Sequence, residues 1–347
     1  MSHNFNCIAT GIGSLPIVDP EEAVALSLKY LAEAPIWPQL PQRGFREYMD
    51  AQYCESLPGL VVDEAKKKVS FNTARDLTPE LETFFGRYLD KDFGYFKMTE
   101  AYAAGYYAFL RALRKGLPPG VKYLKGHVTG PLTAGLSFKD ETGKDIIHND
   151  VLFDAVVKGL AMKAAWQVRE LGQFNKPVII FIDEPAMESL GSAFSAVSSE
   201  TVAERLNEII GTIHELGGIA GIHCCGNADW PMIFNTGVDI VNFDAFGYLE
   251  KVLLYPGDIK RFLSRGGALA WGVVPTGAFT GAETADLLVD KLNEGMKRLE
   301  KEGIDRKTML RQCLITPSCG MGSLSPDKAE AILKLLREVS DRMQKTI

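Results

Sequence analysis

Short apolar runs ending in glycine, proline or a polar residue recur along this chain, and amphipathic stretches of helical period separate most of them. That alternation restricts the fold more than any other feature, because repeated β-α units imply a parallel sheet covered by helices. Strands are expected at 6–11, 122–128, 177–182, 219–222, 240–243, 268–274 and 313–316, with an eighth between Pro16 and Gly120. Helices are expected at 20–34, 79–88, 100–115, 149–171, 199–216, 229–235, 282–302 and 326–344. Eight parallel strands, each followed by a helix, make an α/β fold of the (β/α)8 or TIM barrel type.

The chain has 347 residues, 46% of them hydrophobic, which suffices for one large domain spanning 1–347. Residues 34–97 fit the repeat poorly. They hold Trp37-Pro38-Gln39-Leu40-Pro41 and a stretch from Gly59 to Phe71 that reads as a β-hairpin with a charged, solvated turn. This segment is read as an insertion over one barrel face. A net charge of −6 without a long basic block argues against a nucleic-acid surface. No apolar run approaches the roughly 20 residues that span a bilayer, and the first seven residues lack the charged-then-apolar layout of a signal peptide. The expectation is a cytoplasmic protein without a membrane partner. The six cysteines are irregularly spaced, so a disulfide framework is not expected, and Cys7 and Cys313 sit in strand-like runs as small core residues.

In a barrel of this type, catalytic groups gather on the loops at the carboxyl ends of the strands. Those ends read Gly11-Ile12-Gly13-Ser14, His127-Val128-Thr129-Gly130-Pro131, Asp183-Glu184-Pro185, His223-Cys224-Cys225-Gly226, Asp244-Ala245-Phe246, Pro275-Thr276 and Ser318-Cys319-Gly320. Along an extended strand, residues i and i+2 share a face, so His223 and Cys225 can converge on one ion while Cys224 points away. Cys319 ends another apolar run and would complete the grip. Zn²⁺ prefers nitrogen and thiolate ligands in a tetrahedron, and Asp244, at the end of the next strand, is the candidate for the fourth position.

Neutral imidazole, two thiolates, a carboxylate and Zn²⁺ sum to a charge of −1. Exchanging the carboxylate for an incoming thiolate leaves the sum unchanged, and two thiolates keep the metal electron-rich, so the new thiolate stays nucleophilic. Such a site favours thiol alkylation over hydrolysis. A structural zinc, or ordinary buried thiols, is the alternative. Structural sites usually draw on close Cys-x-x-Cys knuckles, whereas 94 positions separate Cys225 from Cys319.

Ile12-Gly13-Ser14, Val128-Thr129-Gly130-Pro131, Asp183-Glu184-Pro185-Ala186, His223-x-Cys225 and Cys319-Gly320 occur in the order found in one known family. Over nearly its whole length the chain resembles the catalytic barrel of cobalamin-independent methionine synthase. The superfamily also holds uroporphyrinogen decarboxylase and the zinc-dependent methylcobalamin:coenzyme M methyltransferases. The resemblance implies zinc held by His223, Cys225 and Cys319, with Asp244 where the synthase has glutamate. It implies homocysteine as substrate, its carboxylate on Ile12, Gly13 and Ser14 and its amine on Asp183. A glycine-containing turn that presents N–H groups, and a strand-end carboxylate, suit those roles.

Three departures are visible. At 347 residues the sequence is as long as one barrel, so a folate-binding half is not expected. Trp271-Gly272-Val273-Val274-Pro275-Thr276 stands where the synthase carries a histidine, and the second amine-binding carboxylate has no secure counterpart, Glu64 lying in the charged hairpin. These point to the short single-barrel relatives, with methylcobalamin or a methylated corrinoid protein as donor, since cob(I)alamin leaves without a proton whereas a folate nitrogen needs one. A methyl-folate-dependent synthase, a coenzyme M-type methyltransferase and a non-catalytic zinc or corrinoid-protein binding module are the alternatives. His127 is read as a hydrogen-bonded strand-end residue, His148 and His214 as surface residues, and Trp37 and Trp230 as packing residues.

Overall fold

A computed structural model of the chain describes residues 3–190 and 197–347; the first two residues of the amino-terminal stretch discussed above lie outside it. Its strands, numbered in chain order, are β1 (Ile8–Ala9), β2 (Leu60–Asp63), β3 (Lys68–Phe71), β4 (Leu124–Thr129), β5 (Lys139–Asp140), β6 (Val178–Asp183), β7 (Ile219–Cys224), β8 (Ile240–Phe243), β9 (Ala268–Val274) and β10 (Cys313–Pro317). Seven of them form one curled sheet in the order β1-β10-β9-β8-β7-β6-β4, and every pairing in it is parallel. β4, β6, β7, β8, β9 and β10 are buried at every position, as strands covered on both faces must be.

Each of the seven expected runs is one of these strands, and helices occupy all eight expected stretches. Their starts are set by ordinary caps: Asp19, Asn149, Ser198, Thr284 and Ser325 each accept the backbone N–H three residues on. No helix among the described residues is long and apolar enough to cross a membrane.

The expected eighth strand is not found in this sheet. Between Pro16 and Gly120 the only regular strands are the β2–β3 hairpin, which is antiparallel as expected and joins β5 in a separate three-stranded sheet. An extended segment, 35–39, lies instead between β4 and the chain after β1, and touches each through an isolated parallel bridge, Ile36 to Lys125 and Ser14 to Gln39. Trp37 N–H donates to Lys125 O at 3.2 Å, and Gln39 N–H donates to Gly13 O at 3.0 Å. Pro35 and Pro38 lack the N–H groups a ladder needs, so pairing stops at single bridges. The rest of 34–97 consists of short helical turns, the hairpin and the helix Thr78–Leu89.

Candidate metal centre and its cavity

β7 and β10 deliver their polar ends to one place. The ligand atoms of His223, Cys225 and Cys319 all lie within 4.8 Å of one another, and no other such group of three occurs among the described residues. His223 is buried, and Cys225 and Cys319 are half-buried. Cys224 faces the core, as the strand alternation requires.

The state of the His223 ring follows from its neighbour. Asn242 Nδ2 donates to the Ala270 carbonyl and to Thr316 Oγ1, both at 2.8 Å. A carbonyl only accepts, which fixes the orientation of the Asn242 amide and turns its Oδ1 toward His223 Nδ1. Nδ1 is therefore the protonated nitrogen, and Nε2 carries the lone pair. That Nε2 is buried and has no hydrogen-bond partner. A bare imidazole nitrogen oriented through its other nitrogen, with two sulfurs nearby, fits zinc in donor chemistry and in number for an open site. The two thiols lie in contact: Cys319 holds Cys225 well below the ordinary thiol range, and the same contact pushes Cys319 up.

Asp244 is not brought into this group. Its Oδ1 accepts the N–H groups of Phe246 at 2.8 Å and Gly247 at 2.7 Å, so it closes the turn after β8 instead of reaching the sulfurs. Burial raises its pKa, and Cys225 adds to that, so the carboxylate acts on the cluster as a nearby charge.

The cluster forms one end of a cavity of 580 Å³, which Ile12, Ser14 and Asp183 also line. Asp183 is buried at the end of β6, and its Oδ1 has no hydrogen-bond partner. Burial pushes its carboxyl up to about 6, against the pull of His223 and Lys125. Glu184 turns the other way. Its carboxylate accepts Leu132 N–H at 2.8 Å, Thr133 N–H at 2.9 Å and the Thr133 hydroxyl at 2.6 Å, and so caps the helix Pro131–Ser137. The Asp-Glu pair thus splits into a cavity residue and a structural one.

Ser14 Oγ accepts Gly322 N–H at 3.1 Å, which ties the Ile12-Gly13-Ser14 turn to the loop carrying Cys319. Gly13 allows no side chain: a Cβ there would stand 2.7 Å from the His127 ring. Gln39, Tyr48 and Met49 supply another wall of the cavity from within 34–97. Glu64 pairs with Arg46 at 2.8 Å in an exposed position, as expected of the hairpin turn.

His127 is hydrogen-bonded, through Nδ1 to the Tyr53 hydroxyl at 2.6 Å, and Trp37 packs over its ring at 3.9 Å between centroids. Trp37 and Trp230 are fully buried, His148 and His214 are exposed, and Cys7 and Cys313 lie in the core. Sequence reasoning missed Asn242, Tyr53 and Lys125. Lys125 alone left a signal, a cation inside an apolar strand run.

No family model and no curated protein matches the sequence. Among solved structures, a B12-independent methionine synthase from Shewanella sp. W3-18-1, in complex with selenomethionine, aligns with a TM-score of 0.57 at 17% identity, covering 98% of this chain and 98% of that one. A methyltransferase from Methanosarcina mazei aligns with a TM-score of 0.52 at 15% identity, covering 97% of this chain and 94% of that one. At these identities the likeness is one of fold, and it runs from end to end: the chain shares its α/β architecture with a methionine synthase and a methyltransferase.

Proposed function

We propose that this chain is a zinc-dependent methyltransferase that converts homocysteine to methionine, with methylcobalamin or a methylated corrinoid protein as donor. One observation carries the reading: His223, Cys225 and Cys319 meet at a cavity wall, with Nε2 of His223 bare and its ring oriented by Asn242. The fold shared with a methionine synthase and a methyltransferase supports it.

Zinc, when bound by these three side chains, would lower the pKa of an incoming thiol and hold it as a nucleophilic thiolate. The protein's own groups do the rest. Asp183 presents a buried, unpartnered carboxylate oxygen to the substrate amine, and Gly13 and Ser14 receive its carboxylate. Asp244 stands by as a nearby charge, its Oδ1 engaged by the turn after β8. Residues 34–97, read as an insertion within a single barrel domain, cover the cavity with Gln39, Tyr48 and Met49. A 580 Å³ space suits a small amino acid but cannot enclose a corrin, so a cobalt-borne methyl would approach at the mouth. Thr276, which follows β9, bonds to Ser318 through its N–H and hydroxyl, both at 3.1 Å, and offers no imidazole to protonate a folate nitrogen.

The test is a donor panel with homocysteine on zinc-loaded protein: methylcobalamin, methylated corrinoid protein and methyl-folate. Methionine formed with a cobalt donor supports the reading, and turnover with methyl-folate alone overturns its donor. Zinc-edge absorption should show a new sulfur neighbour on adding homocysteine, and its absence would sink the mechanism. If Asp183→Ala leaves homocysteine use unchanged relative to a thiol without an amine, a coenzyme M-type acceptor replaces homocysteine.

A further inference from the structure

The turn Ile12-Gly13-Ser14 is held by its three carbonyl groups. Ile12 O accepts Lys125 Nζ at 2.6 Å, Gly13 O accepts Gln39 N–H at 3.0 Å and Ser14 O accepts Met321 N–H at 3.0 Å. Among the described residues no acceptor takes the N–H of Gly13 or of Ser14. In a planar trans peptide, the N–H lies opposite the preceding carbonyl. Drawing Ile12 O toward Lys125 therefore turns Gly13 N–H away from Lys125, and drawing Gly13 O toward residue 39 turns Ser14 N–H away from that segment. Two of the three anchors are backbone groups. The third is a side chain and therefore a choice of the sequence.

That choice carries an energetic cost. Lys125, the second residue of β4, is fully buried, with its Nζ 3.9 Å from the centre of the Phe181 ring. A buried ammonium persists only where its surroundings compensate it. Its hydrogen bond goes to the Ile12 carbonyl; burial pulls its pKa down to about 7, and the opposite charge that resists this fall is Asp183 at the end of the neighbouring strand β6. On the same face of β4, two residues on, His127 packs against Gly13 so closely that only glycine fits. β4 thus builds a floor under the turn, one residue supplying shape and the other charge.

We propose that Lys125 is the positioning residue of a carboxylate subsite. Its ammonium orients and polarises the Ile12–Gly13 peptide, so that the N–H groups of Gly13 and Ser14 receive the carboxylate of an α-amino acid, while Asp183 receives the amine. The assignment of an amino acid rests on the methyl-acceptor reading above. A positive group beneath the anion end and a negative one at the cation end match a zwitterion, which a neutral turn alone would not.

The experiment is calorimetric titration of zinc-loaded full-length wild type and Lys125→Met with homocysteine, with 3-aminopropanethiol, which lacks the carboxylate, and with 2-aminobutyrate, which lacks the thiol. Lys125→Met is expected to weaken homocysteine and 2-aminobutyrate about tenfold or more, and 3-aminopropanethiol by no more than about twofold, with zinc content unchanged. Equal weakening of all three, or no weakening, overturns the proposal. So does wild type that binds 3-aminopropanethiol as tightly as homocysteine. If neither thiol alters metal coordination yet 2-aminobutyrate binds in a Lys125-dependent way, the methyl-acceptor reading falls and the carboxylate subsite stands. Should the variant not fold, ¹⁵N-glycine-labelled wild type decides the matter: the Gly13 amide must shift on adding 2-aminobutyrate, and a stationary signal refutes the assignment.

Discussion

Asn242 holds His223 by accepting its Nδ1–H, while the Asn242 amide is itself pinned by Ala270 O and Thr316 Oγ1, each at 2.8 Å. The chain of bonds crosses from β7 through β8 to β9 and β10, so the ring bearing the bare Nε2 is oriented by most of one side of the sheet. Replacing the acceptor frees the ring and lets the proton move to Nε2. Asn242→Ala should therefore weaken zinc binding by about 10- to 100-fold, the usual effect of losing such a partner. Asn242→Asp, which keeps an acceptor at that point, should lose less. Competition with a chromophoric chelator measures both, and equal affinities for wild type and Asn242→Ala would show that the ring needs no such support.

Asp244 and Cys319 should part company when each is removed. Cys319→Ser deletes a member of the three-residue group, and zinc content should fall from about one per chain toward zero under mild dialysis. Asp244→Ala deletes two turn hydrogen bonds instead, costing on the order of 1–2 kcal/mol of stability while the metal stays bound. Elemental analysis beside a denaturant melt separates the two effects. Loss of metal from Asp244→Ala would return the carboxylate to the coordination shell.

The strands of the curled sheet were legible because each is buried on both faces and reads as an unbroken apolar run bounded by turn residues. The meeting of His223, Cys225 and Cys319 was legible for a related reason, since strand ends fix where side chains go. The eighth strand was not, because Pro35 and Pro38 erase the pattern even while residues 35–39 occupy that position. The turn bonds of Asp244 were not legible, because strand register gives the direction of a side chain but not which N–H groups will claim it. The helix Pro131–Ser137 was also missed. Its amino-terminal cap is Glu184, which lies 51 positions from Thr133, and no local pattern reveals a partner that distant.

Glu47 should leave a trace in the pH dependence of stability. It is buried, its Oε1 pairs with Arg43 at 2.8 Å, its Oε2 has no partner, and burial raises its pKa from 4.5 to about 7. Between those values the folded chain holds a proton there that the unfolded chain has released, so this group's contribution to stability falls as pH rises through the interval. The limiting slope is about 1.4 kcal/mol per pH unit, and the partly exposed Arg43 reduces it. Glu47→Gln cannot titrate. Urea melts at pH 5, 6 and 7 should show wild type losing stability relative to the variant, and parallel curves would refute the shift.

Gly13 and His127 should prove energetically coupled. A Cβ on residue 13 would come within 2.7 Å of the His127 ring, which cannot yield easily, because Tyr53 holds its Nδ1 at 2.6 Å and Trp37 covers its face. Gly13→Ala should therefore destabilise the fold by about 1–3 kcal/mol, the range for forcing a methyl group into a packed site. The strain has one main source, so removing the ring should remove it. In a His127→Ala background, the same Gly13→Ala change should cost less than about 0.5 kcal/mol, which makes the pair non-additive by at least about 0.5 kcal/mol. A cost in that background as large as in wild type would place the requirement for glycine in the backbone of the turn rather than in the ring beneath it.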